Sequence, residues 1–127
     1  MSIACEKSDF LVLARYMLQL SPQFLSTYAK DIINIHHGFL PSFKGAHPYL
    51  QALESGVKVI GATAHFVTEK LDEGPIITQA VEQVSHRDDL AALVRKGKKL
   101  EQRALACAIQ SYLDYRIIRH ENKTIVF

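Results

Sequence analysis

The sequence predicts an α/β chain, with a mixed sheet, flanking helices and a C-terminal β-hairpin. Three observations carry this reading. Short apolar runs at 10–14 and 31–36 bracket a helix-length segment, the βαβ pattern of a parallel strand pair. Strand-like runs at 57–67 and 75–84 are joined by a short polar turn, the pattern of an antiparallel hairpin. Apolar residues then recur at three- and four-residue spacing over 90–112, as on a helix with one buried face.

Composition bounds the rest. A chain of 127 residues, 48% of them apolar, is one domain's worth and can bury a core. A formal charge of +2 is too small to argue for nucleic acid or an anionic membrane. Cys5 and Cys107 lie far apart and match no disulfide or zinc framework, so a reducing cytoplasm is expected. No apolar run approaches the roughly 20 residues that span a bilayer. The opening MSIACEKSDF lacks the basic-then-apolar layout of a signal peptide. No internal repeat, low-complexity tract or interdomain linker is seen.

The first apolar run, 10–14, reads as a strand buried inside a parallel sheet. Ser21-Pro22 reads as N-cap and first helical position of a short helix ending near Tyr28. The strand at 31–36 completes the βαβ unit. Gly38, Pro41, Gly45 and Pro48 then mark a loop beyond the carboxyl end of that strand, where open α/β sheets hold their ligands. Tyr49 to Ser55 suits a helix closed by Gly56. The strands at 57–67 and 75–84 follow, with Asp72 in their connection. Ser85-His86-Arg87-Asp88 resembles a capping box ahead of a long helix. Its buried stripe is expected to hold Leu90, Leu93, Val94, Leu100, Ala104, Leu105, Ala108 and Tyr112. Arg95, Lys96, Lys98, Lys99 and Arg103 fall mostly on the other side, as a solvated face. Runs 114–119 and 123–127 form the terminal hairpin.

The candidate chemistry centres on Asn34, His36 and Asp72. Alternate strand residues share a face, so Asn34 and His36 point the same way at the exit of an apolar strand. An amide N–H and an imidazole can both donate to an oxygen gaining negative charge. A nearby carboxylate would hold the imidazole or accept a proton from attacking water. A purely structural reading also fits, with Asn34 capping the loop and His36 satisfied in the core. His36-His37 does not read as a metal pair, since adjacent strand residues face opposite sides and no H-E-x-x-H or cysteine cluster supports it. Ser42, Ser55 and Ser85 lie in no G-x-S-x-G elbow. No glycine-rich phosphate loop occurs. Gly45 is the loop glycine whose backbone could approach a ligand. His65 reads as a hydrogen-bonded core partner, while His47, His86 and His120 carry no specific signal.

Taken in order, several stretches resemble a known signature. They are Asn34-Ile35-His36, Leu40-Pro41, Gly61-x-Thr63-x-His65-Phe66-Val67-Thr68 and Leu71-Asp72-Glu73-Gly74-Pro75-Ile76-Ile77. Their order is similar to that of the 10-formyltetrahydrofolate-dependent formyltransferase fold. Leu13-Ala14-Arg15-Tyr16-Met17, His36-His37, Phe43-Lys44-Gly45-Ala46-x-Pro48-Tyr49, His86-Arg87-Asp88 and Asn122-Lys123-Thr124-x-Val126-Phe127 resemble its formyltetrahydrofolate deformylase branch. Gly38 departs from that pattern, where serine is usual, and so does Leu18-Gln19.

The resemblance implies hydrolysis of 10-formyltetrahydrofolate to formate and tetrahydrofolate, serving one-carbon metabolism and purine synthesis. It implies Asn34, His36 and Asp72 as catalytic residues. It implies a folate site at Met17, Leu18, Leu20, Phe24, Leu25, Ile32, Thr68, Glu69, Lys70 and Leu71. No metal or cofactor is implied, the reduced folate being substrate, and neither nucleic acid nor membrane is an expected partner. The fold implied is the C-terminal portion of a formyltransferase-type, Rossmann-like mixed sheet. Residues 1–127 would be one partial catalytic domain, without the branch's regulatory domain or the first half of its catalytic domain. An uncovered sheet edge of that kind implies a homo-oligomer or element-swapped assembly, or a piece of a longer protein. An inactive folate-binding or oligomerising fragment and formyl transfer to an amine are the alternatives.

Overall fold

The computed structural model describes residues 9–14, 21–36, 47–70 and 73–127. Strands β1 (Leu11–Ala14) and β2 (Ile32–His36) flank helix α1 (Pro22–Tyr28) and pair in parallel, with Leu13 opposite Asn34. Ser21 Oγ accepts the Phe24 N–H at 3.1 Å and Pro22 opens α1, so this helix starts as the sequence suggests. Helix α2 (Pro48–Ser55) closes on Gly56, whose φ of 65° is one that glycine adopts without a Cβ clash. β3 (Val59–Phe66) then runs antiparallel to β2, and β4 (Ile76–Gln83) antiparallel to β3. The sheet order is β1-β2-β3-β4, parallel at one edge and antiparallel at the other. Helix α3 (Leu90–Leu113) follows, and β5 (Ile117–His120) and β6 (Lys123–Val126) form a separate two-stranded sheet.

Helix α3 covers one face of the sheet, and α1 covers the β1–β2 part of the other. Ile33 and Ile35 of β2, Ala62 and Ala64 of β3, and Ala80 of β4 share one core with Leu93, Leu100, Ala104 and Ala108 of α3. Leu13 and Ile32 pack with Tyr28 of α1 in a second cluster. Seven of the eight β3 residues are buried, the polar Thr63 and His65 among them.

Helix α3 departs from the sequence reading in two ways. Its N-cap is Asp89, whose Oδ1 accepts the Ala92 N–H at 2.8 Å. The Ser85–Asp88 pair instead closes a separate turn, with the Ser85 N–H donating to Asp88 Oδ2 at 2.9 Å. That backbone bond, with the Lys96 ammonium beside it, holds the Asp88 carboxyl below the usual carboxylate range. Two acids in a row can each cap, and the turn takes the first. The buried stripe also differs. Leu90, with no preceding helical turn to pack beneath, is 40% exposed. Gly97, Glu101 and Ser111 are buried in its place. Glu101 is tolerated because the Tyr49 hydroxyl donates to its carboxylate at 2.8 Å. Gly97 is required by the same contact, since a Cβ there would lie 2.0 Å from Tyr49 Oη. On the basic side, Lys96 donates to the Gln83 carbonyl and Arg103 to the Val81 carbonyl, tying the helix to β4.

The terminal hairpin is held to the sheet by polar contacts. Arg119 donates to Asp31 Oδ1 at 2.7 Å and lies 3.3 Å over the Phe66 ring. Tyr112 of α3 donates to Asp31 Oδ2 at 2.7 Å. Thr124 donates to the Ile76 carbonyl, and Asn122 to that of Glu73. Among the described residues no helix is long and apolar enough to cross a membrane.

Candidate active site

Strand β2 carries Asn34 and His36 where the sheet changes from parallel to antiparallel pairing. Both are buried, at 5% and 3% exposure, so neither has the hydration that usually satisfies a polar side chain. Across the ladder Asn34 faces His65 and His36 faces Thr63, and both of these β3 residues are also buried. Alternation on two neighbouring strands therefore gathers four polar side chains on one face.

Their bonds are specific. His65 Nδ1 lies 2.9 Å from the Phe66 carbonyl oxygen, and His65 Nε2 lies 3.5 Å from Asn34 Nδ2. Gln79 of β4 donates to Thr63 Oγ1 at 3.0 Å, extending the polar row to a third strand. Asn34 Oδ1 is buried and, among the described residues, has no hydrogen-bond partner. A cluster of amide, imidazole and hydroxyl groups in a dry face can stabilise charge that develops on a ligand oxygen.

Of the other candidates, Phe24, Leu25 and Ile32 join the apolar cluster beneath α1, with Ile32 only 2% exposed. Thr68, half-buried, donates to the Lys70 carbonyl at 3.4 Å, while Glu69 and Lys70 are exposed. Asp72, Leu71, Met17, Leu18, Leu20 and Gly45 lie outside the described residues. Gly74, just beyond Asp72, brings the β3–β4 connection against β3, where an added Cβ would meet the Phe66 carbonyl oxygen at 1.7 Å. Among the described residues no three His, Cys, Asp or Glu are grouped to hold a metal ion.

Sequence reasoning did not single out Thr63 or Gln79 as parts of this face. The Thr63-x-His65 spacing repeats that of Asn34-x-His36, a signal that two neighbouring strands present matching polar pairs. Only the register shows that the pairs meet.

The formyl transferase family matches residues 1–109. The chain belongs to that family, as its mixed sheet and the polar face of β2 and β3 lead one to expect. Within the family its relatives fall on the branch that the motifs indicated. Formyltetrahydrofolate deformylase 1, mitochondrial, of Arabidopsis thaliana is 60% identical over 121 residues, covering 94% of this chain and 38% of the relative. The formyltetrahydrofolate deformylase of Bacillus subtilis is 57% identical over 119 residues, covering 94% and 40%. The crystal structure of a Pseudomonas syringae formyltetrahydrofolate deformylase superposes with a TM-score of 0.89 at 55% identity, over 95% of this chain and 41% of that one. Glycinamide ribonucleotide transformylase 1 of Symbiobacterium toebii gives a TM-score of 0.86 at 38% identity, over 94% and 56%. The chain spans about two fifths of the length of the curated relatives it matches.

Proposed function

We propose that this chain carries the catalytic face of a formyltetrahydrofolate deformylase, which hydrolyses 10-formyltetrahydrofolate to formate and tetrahydrofolate. The observation that carries this reading is the buried Asn34/His36 pair set against Thr63 and His65, in a chain 57–60% identical to deformylases. In this reading Asn34 and His36 donate to the formyl oxygen as water attacks its carbon. Asp72 holds that water and accepts its proton. The C–N bond then breaks, the amine nitrogen takes up a proton, and formate leaves. No cofactor enters, because the reduced folate is itself the substrate. Phe24, Leu25 and Ile32, with Met17, Leu18 and Leu20, would wall the flat pterin, and Thr68 to Leu71 would border it. Gly45 would let the loop backbone approach.

A role in one-carbon metabolism and formate supply for purine synthesis follows from the same reading. A cytoplasmic setting suits it, Cys107 being a free, exposed thiol. Among the described residues β1 pairs with β2 alone, so a homo-oligomer, an element-swapped assembly or the rest of a longer protein would cover that edge. Mass in solution tests that. Formate release from 10-formyltetrahydrofolate tests the chemistry, with Asp72→Asn in the whole protein expected to lose about 100-fold or more. Equal rates would reject the role of Asp72. Faster turnover with an added amine than with water would favour formyl transfer, the activity of the transformylase relatives.

A further inference from the structure

We infer that His65 is a positioning residue that sets which end of the Asn34 amide faces the reacting carbonyl. The inference rests on the proposed role of Asn34 at the formyl oxygen. It starts from a carbonyl oxygen, which can only accept. His65 Nδ1 lies 2.9 Å from the Phe66 oxygen, so Nδ1 carries the proton. In the neutral ring Nε2 is then the acceptor. Asn34 Nδ2 lies 3.5 Å from that Nε2, and the nitrogen is the only end of the amide that can donate to it.

A primary amide is nearly the same shape when its oxygen and nitrogen exchange places, so packing alone does not choose between the two orientations. The imidazole chooses. It takes one N–H and turns Oδ1 away, which leaves Asn34 a second N–H for the formyl oxygen. Oδ1 is buried and has no hydrogen-bond partner among the described residues, a state uncommon for a buried acceptor and suited to a donor arriving with the substrate. The attacking water's O–H or the departing amine's N–H would supply it. The backbone is shaped accordingly. The β3–β4 ladder shifts register between Ala64 and His65, and such irregularities re-aim side chains beside functional sites.

The test uses the whole protein. Nitrogen NMR of the wild type should show His65 protonated at Nδ1 and bare at Nε2, with one Asn34 amide proton shifted by its hydrogen bond. The opposite tautomer overturns the inference, whether or not the protein is active. Kinetically, His65→Leu should lower kcat about 10- to 100-fold with KM little changed. His65→Gln, whose side-chain oxygen can stand near the Nε2 position, should recover most of that loss. In an Asn34→Ala background, His65→Leu should change kcat less than about twofold, because a positioning residue has nothing left to position. Losses that multiply in the double variant overturn the inference. Absent formate release in the wild type would instead sink the deformylase reading, while the NMR result would still judge the tautomer and the amide bond.

Discussion

Replacing Tyr112 with Phe removes one atom from the contact that joins α3 to the start of β2. The lost hydroxyl donates to Asp31 Oδ2 at 2.7 Å, while Arg119 serves Oδ1 of the same carboxylate. The ring keeps its neighbours, with the Phe10 centroid at 4.7 Å and that of Phe66 at 6.2 Å, so the substitution isolates the hydrogen bond. A bond to an ionised acceptor contributes about 1.5–3 kcal/mol. Here the expected loss is nearer ~1 kcal/mol, because the site is partly solvated and screened. Tyr112 is only half-buried and borders an open cavity of about 710 Å³, and Asp31 keeps its arginine. Burial, then the hydrogen bond to Asp31 and its negative charge, push the Tyr112 phenol up to about 12. The unfolded value is about 10. A raised folded value means that the contribution is fully present below about pH 10 and disappears as pH rises through about 12. Urea unfolding near neutral pH reads the loss. Tyrosinate absorbance reads the shift, since the variant should lack a component that titrates near 12. Wild-type stability in the variant, or loss of a component titrating near 10, would refute the reasoning.

Three further substitutions probe α3 and the turn before it. Gly97→Ala should gain about 1 kcal/mol of helix propensity, yet the new Cβ drives off the Tyr49 ring and strips Glu101 of its donor. A net loss of about 2 kcal/mol is expected in thermal or urea unfolding, and a stabilised variant would contradict the packing argument. Asp89→Ala should cost about 1 kcal/mol and Ser85→Ala less, because Asp89 caps the helix while Ser85 belongs to the preceding turn. The reverse ranking in the same assay would move the helix start back to Ser85.

Local chemistry made most of the secondary structure legible. Ser21-Pro22, Gly56 and the β-branched runs act through backbone geometry and capping within a few residues. The elements they mark lie within a residue or two of the sequence expectation. The start of α3 was less legible, since Ser85 and Asp89 are both competent caps and the competition is settled by the turn that leads out of β4.

The amino-acid order by itself determined the class of chain, the family motifs, and the shared face of Asn34 and His36, because strand alternation is a local rule. Which residues stand opposite them was decided only in three dimensions. The pairing of Asn34 with His65 joins residues 31 apart, and the burial of Glu101 depends on a tyrosine 52 residues away. Neither follows from propensity or spacing. Both depend on strand register and helix packing, which bring together side chains that local rules cannot connect.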